Sequence, residues 1–316
     1  MRKLKFGVFL PFYAFQAKTP YEYYDHLKTI SLECEHLGYE SVWLDDHLMY
    51  GNWPILETWV TLSALSALTS KIRLGTMVSC TMHRNPALLA KAGATFDVLS
   101  NGRLEFGIGA GVQKEEHVAY GFGFPPISNR VQRLDEALEV IRRLWTMEKA
   151  NFRGKHYALK NAVCEPKPLQ KPHPLIIVGG GGKDILKVTA KYADRFDWGS
   201  LPSINLYKRK LKALENHCKM VGRDFSEIEK SCWPGGQVLI AQDQKELSEK
   251  IYRLEPAGMS LEDFKRNVLA GTADECRERL QFYVNLGVTH FMLFFADLPK
   301  VDGLRLFAES VAKRMS

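Results

Sequence analysis

The chain has 316 residues, 46% of them hydrophobic and 25% charged, with a formal net charge of +7. That mix belongs to a globular protein with a large core and excludes a disordered or fibrous chain. The 43 Lys and Arg residues are scattered with no run of five, which argues against a dedicated nucleic-acid face and fits an anionic small-molecule ligand.

The six cysteines, Cys34, Cys80, Cys164, Cys218, Cys232 and Cys276, include no C-x-x-C pair, and no two histidines stand at metal-ligand spacing. They read as free thiols in a reducing compartment, with no zinc site. The start, MRKLKFGVFLPFYAFQA, mimics a signal peptide, but Pro11 interrupts its apolar stretch and no small-x-small cleavage site follows. It reads instead as a first core strand. Nothing else approaches the ~18 apolar residues that a membrane helix needs. The expectation is a cytoplasmic protein with a small-molecule substrate and neither nucleic acid nor membrane as partner.

Strand and helix signals alternate along the chain. Lys5–Leu10 is a short apolar run closed by Pro11, and Pro20 opens a helix to about Leu37, stopped by Gly38. Ser41–Leu44 is a second strand, followed by a helix from Pro54 to about Thr69. Ile72–Val78 is a third, and Asn85-Pro86 starts the next helix, with Asn as cap and Pro in the first turn. After the turn at Ser100-Asn101-Gly102, Arg103–Gly109 alternates as a fourth strand. Val131, Leu134, Leu138, Ile141 and Leu144 recur at three- and four-residue steps and predict a helix from Ser128 to Trp145.

The rhythm then breaks over 149–174, which holds four prolines. Leu175–Val178 and Arg195–Gly199 are the fifth and sixth strands, separated by a helix from Asp184 to Tyr192. A basic helix from Asn205 to Met220 leads to a seventh strand, Cys232–Ala241, interrupted by Pro234-Gly235-Gly236. Residues 242–270 read as an insertion. A helix from Thr272 to Leu286, the strand Thr289–Phe295 and a helix from Leu304 to Arg314 complete the series. Eight strands, each followed by helix, predict an α/β protein, a (β/α)8 TIM barrel formed as one domain over 1–316 with insertions near 149–174 and 242–270. A doubly wound open sheet is the alternative.

In a barrel the segments after the strands gather at one end. The second strand runs straight into Asp45, Asp46 and His47, placing acids and an imidazole at the mouth of the core. Gly179–Gly182 follows a strand and opens a helix, where bare main-chain N–H groups and the helix dipole can hold an anion. This is not a Walker loop, and Gly107–Gly111 lacks the spacing of a dinucleotide fingerprint. His83, His117 and His156 read as solvated or packed. The Glu115–Glu116 pair reads as a solvated helix start, with substrate positioning as the alternative.

The pieces WLDDH, LETWVTLSALSALTSKIRLGTMV, HRNPALLAKAGATFDVLSNGRLEFGIGAG and IIVGGGGKDILKVTAKYAD, taken together, resemble the luciferase-like monooxygenase superfamily. The Asp-His after the second strand looks most like its branch of coenzyme F420-dependent oxidoreductases, which includes methylenetetrahydromethanopterin reductases. The resemblance implies a bacterial-luciferase-like barrel, often a homodimer. It implies that the cofactor, F420 (an 8-hydroxy-5-deazaflavin), puts its phosphate at Gly179, Gly180, Gly181 and Gly182. It also implies a non-proline cis peptide at Met77–Val78. By the same resemblance His47 and Asp46 are the catalytic pair. The expected cofactor contacts are Asp46, Met77, Val78, Ser79, Gly111 and Glu115; from their positions at the strand exits, Phe12, Trp43, Cys80 and Phe295 are expected to wall the substrate pocket. Val112 stands where the glucose-6-phosphate enzymes of the branch carry an acid, which argues against a sugar phosphate. The implied activity is hydride transfer between the deazaflavin and a small organic substrate. An FMN-dependent monooxygenase is the alternative, and a non-catalytic flavin-binding barrel is a third reading.

Overall fold

In the computed structural model, which describes residues 3–15, 17, 19–199, 204–254 and 267–315, eight parallel strands close on themselves. They are β1 (Lys5–Phe9), β2 (Ser41–Leu44), β3 (Arg73–Thr76), β4 (Leu104–Gly109), β5 (Ile176–Gly179), β6 (Arg195–Asp197), β7 (Glu229–Cys232) and β8 (Val288–Leu293). Each pairs with its neighbours in chain order, and β8 returns to β1 with Phe6 opposite Phe291. The third strand breaks at the cis peptide Met77–Val78, after which Ser79–Cys80 pairs again with β4.

The helices form the outer layer: α1 (Pro20–Leu37), α2 (Thr58–Leu68), α3 (Pro86–Leu99), α4 (Ile127–Thr146), α5 (Lys183–Tyr192), α6 (Ile204–Met220), α7 (Ala273–Val284) and α8 (Asp302–Phe307). Their ends follow local chemistry. Thr19 Oγ1 accepts from Glu22 N at 3.1 Å to start α1, and Gly38, at φ 83°, ends it in the left-handed region. Asn85 Oδ1 accepts from Ala87 N at 2.9 Å before Pro86. The second helix begins at Thr58 rather than Pro54, because Glu57 caps it, accepting from Val60 N at 2.8 Å.

The seventh strand differs from the expectation. It ends at Cys232, and Val238–Ala241 is not its continuation but pairs in parallel with Leu269–Thr272 in a separate two-stranded sheet. Pro234-Gly235-Gly236 turns the chain out of the barrel. A Cβ on Gly235 would sit 2.5 Å from Leu269 N, so only glycine allows that approach. The helix Gln244–Leu254 covers this side sheet, while residues 255–266 and Ser200–Ser203 lie outside the described residues. The segment at 149–174 contains an antiparallel hairpin, Ala150–Arg153 with Ala158–Ala162. No helix among the described residues is long and apolar enough to cross a membrane.

The barrel interior is filled from the strands themselves. Trp43 is fully buried there, and its Nε1 donates to Ser41 Oγ at 2.7 Å. Gly7 and Gly75 make room for it: a Cβ on either would lie within 2.7 Å of the indole. Arg195, also fully buried, donates to Glu105 at 2.9 Å and Glu229 at 2.6 Å. His290 is held neutral, first by burial and then by the nearby Arg195, Lys5 and Arg73.

Candidate active site

Successive strand exits enclose a cleft of about 330 Å³ at one end of the barrel. From β2 come Asp46 and His47; from the break after β3 come Met77, Val78 and Cys80; from β5 come Gly179 and Gly180. Trp198, Trp233 and Ile127 form apolar walls. The imidazole of His47 and the glycine run therefore open into the same space.

His47 is fixed by partners distant in sequence. Its Nδ1 lies 3.2 Å from Glu116 Oε2, and the Phe12 ring packs edge-on against it at 5.7 Å. Glu116 stands on a short helix, Lys114–Ala119, and is 1% exposed. Its other oxygen accepts from the main-chain N–H groups of Leu48, by a short contact, and Met49, at 3.3 Å. One carboxylate thus holds both the imidazole and the loop that carries it. Burial alone would lower the His47 pKa, but the bond to Glu116 and the charges of Asp45, Glu116 and Asp46 outweigh it and raise it. Glu116 moves the other way. Its bonds to His47 and Leu48 N, with His83 Nε2 3.5 Å away, overcome burial and hold it well below the usual carboxylate range. Asp45 is pushed up to about 7, chiefly by burial, against the opposing pull of His47.

Asp46 also lines the cleft, but its oxygens are already engaged. Arg84 grips them at 2.6 and 3.0 Å, and Cys80 N donates at 2.9 Å. Arg84 bonds Glu57 as well, tying the β2 exit to the start of α2.

The other expected site residues separate into two groups. Met77, Val78, Cys80, Gly111, Gly179 and Gly180 line the cleft. The remainder lie elsewhere. Ser79 is buried and its Oγ accepts from Trp59 Nε1 at 3.1 Å, turned toward α2. Glu115 is exposed; it is Glu116, one residue on, that faces inward, so the reading of the pair as a solvated helix start fails for Glu116. Trp43 lies within the barrel rather than in the pocket wall. Phe295 is fully buried against Tyr39 and Phe307, on the helix side of its strand exit. Phe12 backs His47 from behind. Gly181 is buried under Trp198, and its carbonyl accepts from Lys210 Nζ at 2.6 Å; Gly182 is exposed as the residue preceding α5.

His83 and His117 are packed rather than solvated, but they pack beside each other. Both are buried at the cleft beside Cys80, and the three ligand atoms lie within 4.8 Å of one another. The sequence showed no metal-ligand spacing because this group is assembled from two strand exits. His83 is pushed up to about 9, since Cys80, Glu116 and Asp46 outweigh its burial, whereas His117 is lowered, first by burial.

A family model described as luciferase-like monooxygenase matches residues 4–290. The chain belongs to the luciferase-like monooxygenase family. A relative from Segniliparus rotundus, named F420-dependent glucose-6-phosphate dehydrogenase, is 28% identical over 312 residues, covering 90% of this chain and 92% of its own. Among solved structures of this fold, an F420-dependent secondary alcohol dehydrogenase in complex with an F420-acetone adduct superposes with a TM-score of 0.80 at 23% identity, covering 98% of both chains. A monooxygenase from Streptomyces bottropensis superposes with a TM-score of 0.81 at 22% identity, covering 99% of this chain and 100% of its own. The closed parallel barrel is thus the family's fold, and both chemistries named for these neighbours are built on it.

Proposed function

We propose that this chain is a coenzyme F420-dependent oxidoreductase that transfers hydride between the deazaflavin and a carbon of a small, uncharged organic substrate. The observation that carries the reading is that His47, held by Glu116, faces the cleft that Gly179 and Gly180 also line. The named relative from Segniliparus rotundus supports the choice of cofactor.

The residues present fit such a group. The floor of the cleft combines Met77 and Val78 with bare main chain at Gly109, Gly111, Gly179 and Gly180, which leaves a slot for a flat ring. At its rim no side chain caps α5, and a Cβ on Gly182 would meet nothing nearer than Ile185 at 4.0 Å. That open, positively polarised helix end suits an anionic phosphate. Bound there, the deazaflavin would supply the carbon that carries hydride.

The chain's own residues would manage proton and solvent. Because Nδ1 of His47 is committed to Glu116, Nε2 is the nitrogen that can exchange a proton with the substrate's heteroatom. The surrounding carboxylates favour the imidazolium, so His47 acts as the acid when the substrate is reduced and as the base when it is oxidised. Trp198, Trp233 and Ile127 exclude water.

The substrate class follows from the mouth. Val112, 81% exposed, offers no charge. Arg84 is engaged by Asp46 and Glu57, and Arg130 by the carbonyls of Ala110, Gly111 and Pro125. Secondary alcohols with their ketones, or imines, suit this lining better than a sugar phosphate. A homodimer is part of this proposal, with the outer faces of α2 and α3, where Val60 and Leu88 are exposed, as its expected interface; sedimentation would test it. The test of the activity is an anaerobic assay in which purified protein reduces F420 with a panel of secondary alcohols. Reaction only with reduced FMN and oxygen would overturn the reading.

A further inference from the structure

We propose that Cys80, His83 and His117 form a binding site for one Zn²⁺ ion, with the fourth coordination position open to the cleft. Cys80 and His83 share a single turn, in which His83 N donates to Cys80 O at 3.1 Å. His117 arrives from the short helix after β4 and brings its Nε2 to 3.3 Å from Cys80 Sγ. Tetrahedral zinc with thiolate and imidazole ligands sets its donor atoms about 3.5 Å apart, close to this spacing. The His83 donor lies within 4.8 Å of the other two.

The chain is built around this triangle. A Cβ on Gly111 would lie 2.8 Å from both Cys80 Sγ and His117 Nε2, so glycine is what lets the two donors approach. His117 Nδ1 lies 2.6 Å from the carbonyl of Gln113, which fixes the tautomer with its Nε2 lone pair toward Cys80. A main-chain carbonyl in that role is the outer support that metal-bound imidazoles use.

His83 is the second, independent observation. It is buried, and neither ring nitrogen has a hydrogen-bond partner among the described residues. Its Nδ1 is 4.0 Å from Asp46 and its Nε2 3.5 Å from Glu116. With Nδ1 on the ion in place of its proton, Nε2 still faces Glu116, the kind of pairing that orients a metal-bound histidine and increases its basicity. One thiolate and two imidazoles favour zinc over the hard cations magnesium and calcium. The free position lies among residues that line the cleft, so an oxygen of water or substrate can complete the tetrahedron. None of this depends on which cofactor the protein uses.

The test is to strip the purified protein with a chelator and titrate it with Co²⁺ as a spectroscopic stand-in, then with Zn²⁺ against a competing chromophoric chelator. The expected result is one Co²⁺ per chain, with a tetrahedral spectrum and a thiolate charge-transfer band. Cys80→Ser should remove that band, and both it and His117→Ala should weaken Zn²⁺ binding roughly tenfold or more, by the measure of other altered metal sites. Cys164→Ser, a buried cysteine outside the cluster, should change neither. Absence of stoichiometric binding, an octahedral spectrum without the thiolate band, or unchanged affinity in both ligand variants would overturn the site.

Discussion

Glu116 and His47 are 69 positions apart in the chain, yet their side chains meet at 3.2 Å, and the same carboxylate bonds the main chain on the far side of the imidazole. The contact locks the β2 exit to the segment after β4 and decides which imidazole nitrogen is free. Most of what the site can do follows from this pair.

The first consequence concerns pH. Carboxylates around His47 raise its pKa, so the imidazolium persists above the ordinary value of 6.5. Substrate reduction, which needs that proton, should fall as pH rises through the raised value, and oxidation should rise over the same range. Glu116→Gln removes the main opposing charge, so both limbs should move to lower pH. Profiles of kcat/KM against pH for the two proteins check this; coincident profiles would separate Glu116 from proton transfer.

Asp46 and Arg84 form a second coupled pair, with Asp46 buried and bound at 2.6 and 3.0 Å. Removing the cation alone strands a buried carboxylate. Arg84→Met should therefore cost about 3–5 kcal/mol, and Arg84→Met combined with Asp46→Asn should cost less than Arg84→Met alone. Denaturant unfolding of the single and double variants measures the difference.

The barrel interior gives a packing prediction. A Cβ at Gly75 would lie 2.6 Å from the Trp43 ring and 2.7 Å from Glu105 Cβ. Gly75→Ala should destabilise the protein by about 1–3 kcal/mol through overpacking. Adding Trp43→Phe, which shrinks the obstructing ring, should recover part of the loss in thermal unfolding.

Glu35 staples the end of α1 to the entrance of β3. It accepts from Ser70 N at 2.9 Å, Lys71 N at 2.7 Å and Ile72 N at 2.9 Å. Burial resists its ionisation, but these bonds lower its pKa to about 2. A depressed carboxylate stabilises the fold above its unfolded value, near 4.5, and loses that contribution as pH falls toward 2. Glu35→Gln should cost about 1–3 kcal/mol at neutral pH, the range for hydrogen bonds to a charged group, and the gap from wild type should close between those values. Unfolding curves across that range test the sign.

How far the fold was legible can be traced residue by residue. Short apolar runs ending in Pro11, Asp45 or the glycine run marked the strand exits, and the periodicity of Leu134, Leu138 and Ile141 marked a helix that the structure places over Ile127–Thr146. Where reasoning failed, the missing information was long-range. Every residue of β2 is buried, so alternation could not say that Trp43 faces the barrel axis. Phe295 follows a strand whose neighbours are equally apolar, and only the positions of Tyr39 and Phe307 fix which way it turns. Glu115 and Glu116 look alike in sequence, and a single step along the helix, about 100° of rotation, separates an exposed acid from a buried one. Cys80, His83 and His117 show no metal spacing because 34 residues separate the last two. Trp198 and Trp233, directly after β6 and β7, could have been read as pocket walls from position alone.

The account rests on His47 and the glycine-lined helix end serving one ligand. The direct measurement is the affinity for coenzyme F420, by anaerobic absorbance titration, of the wild type, His47→Ala and Gly182→Asp. A side chain at Gly182 meets nothing closer than 4.0 Å, and Asp is a favourable residue ahead of a helix, so the fold should be unharmed while the added charge repels a phosphate. The account predicts affinity roughly tenfold or more weaker for Gly182→Asp by charge repulsion, and near-normal affinity for His47→Ala with hydride transfer slowed by about 10²–10⁴-fold. Undiminished binding by Gly182→Asp, or full turnover by His47→Ala, would contradict it.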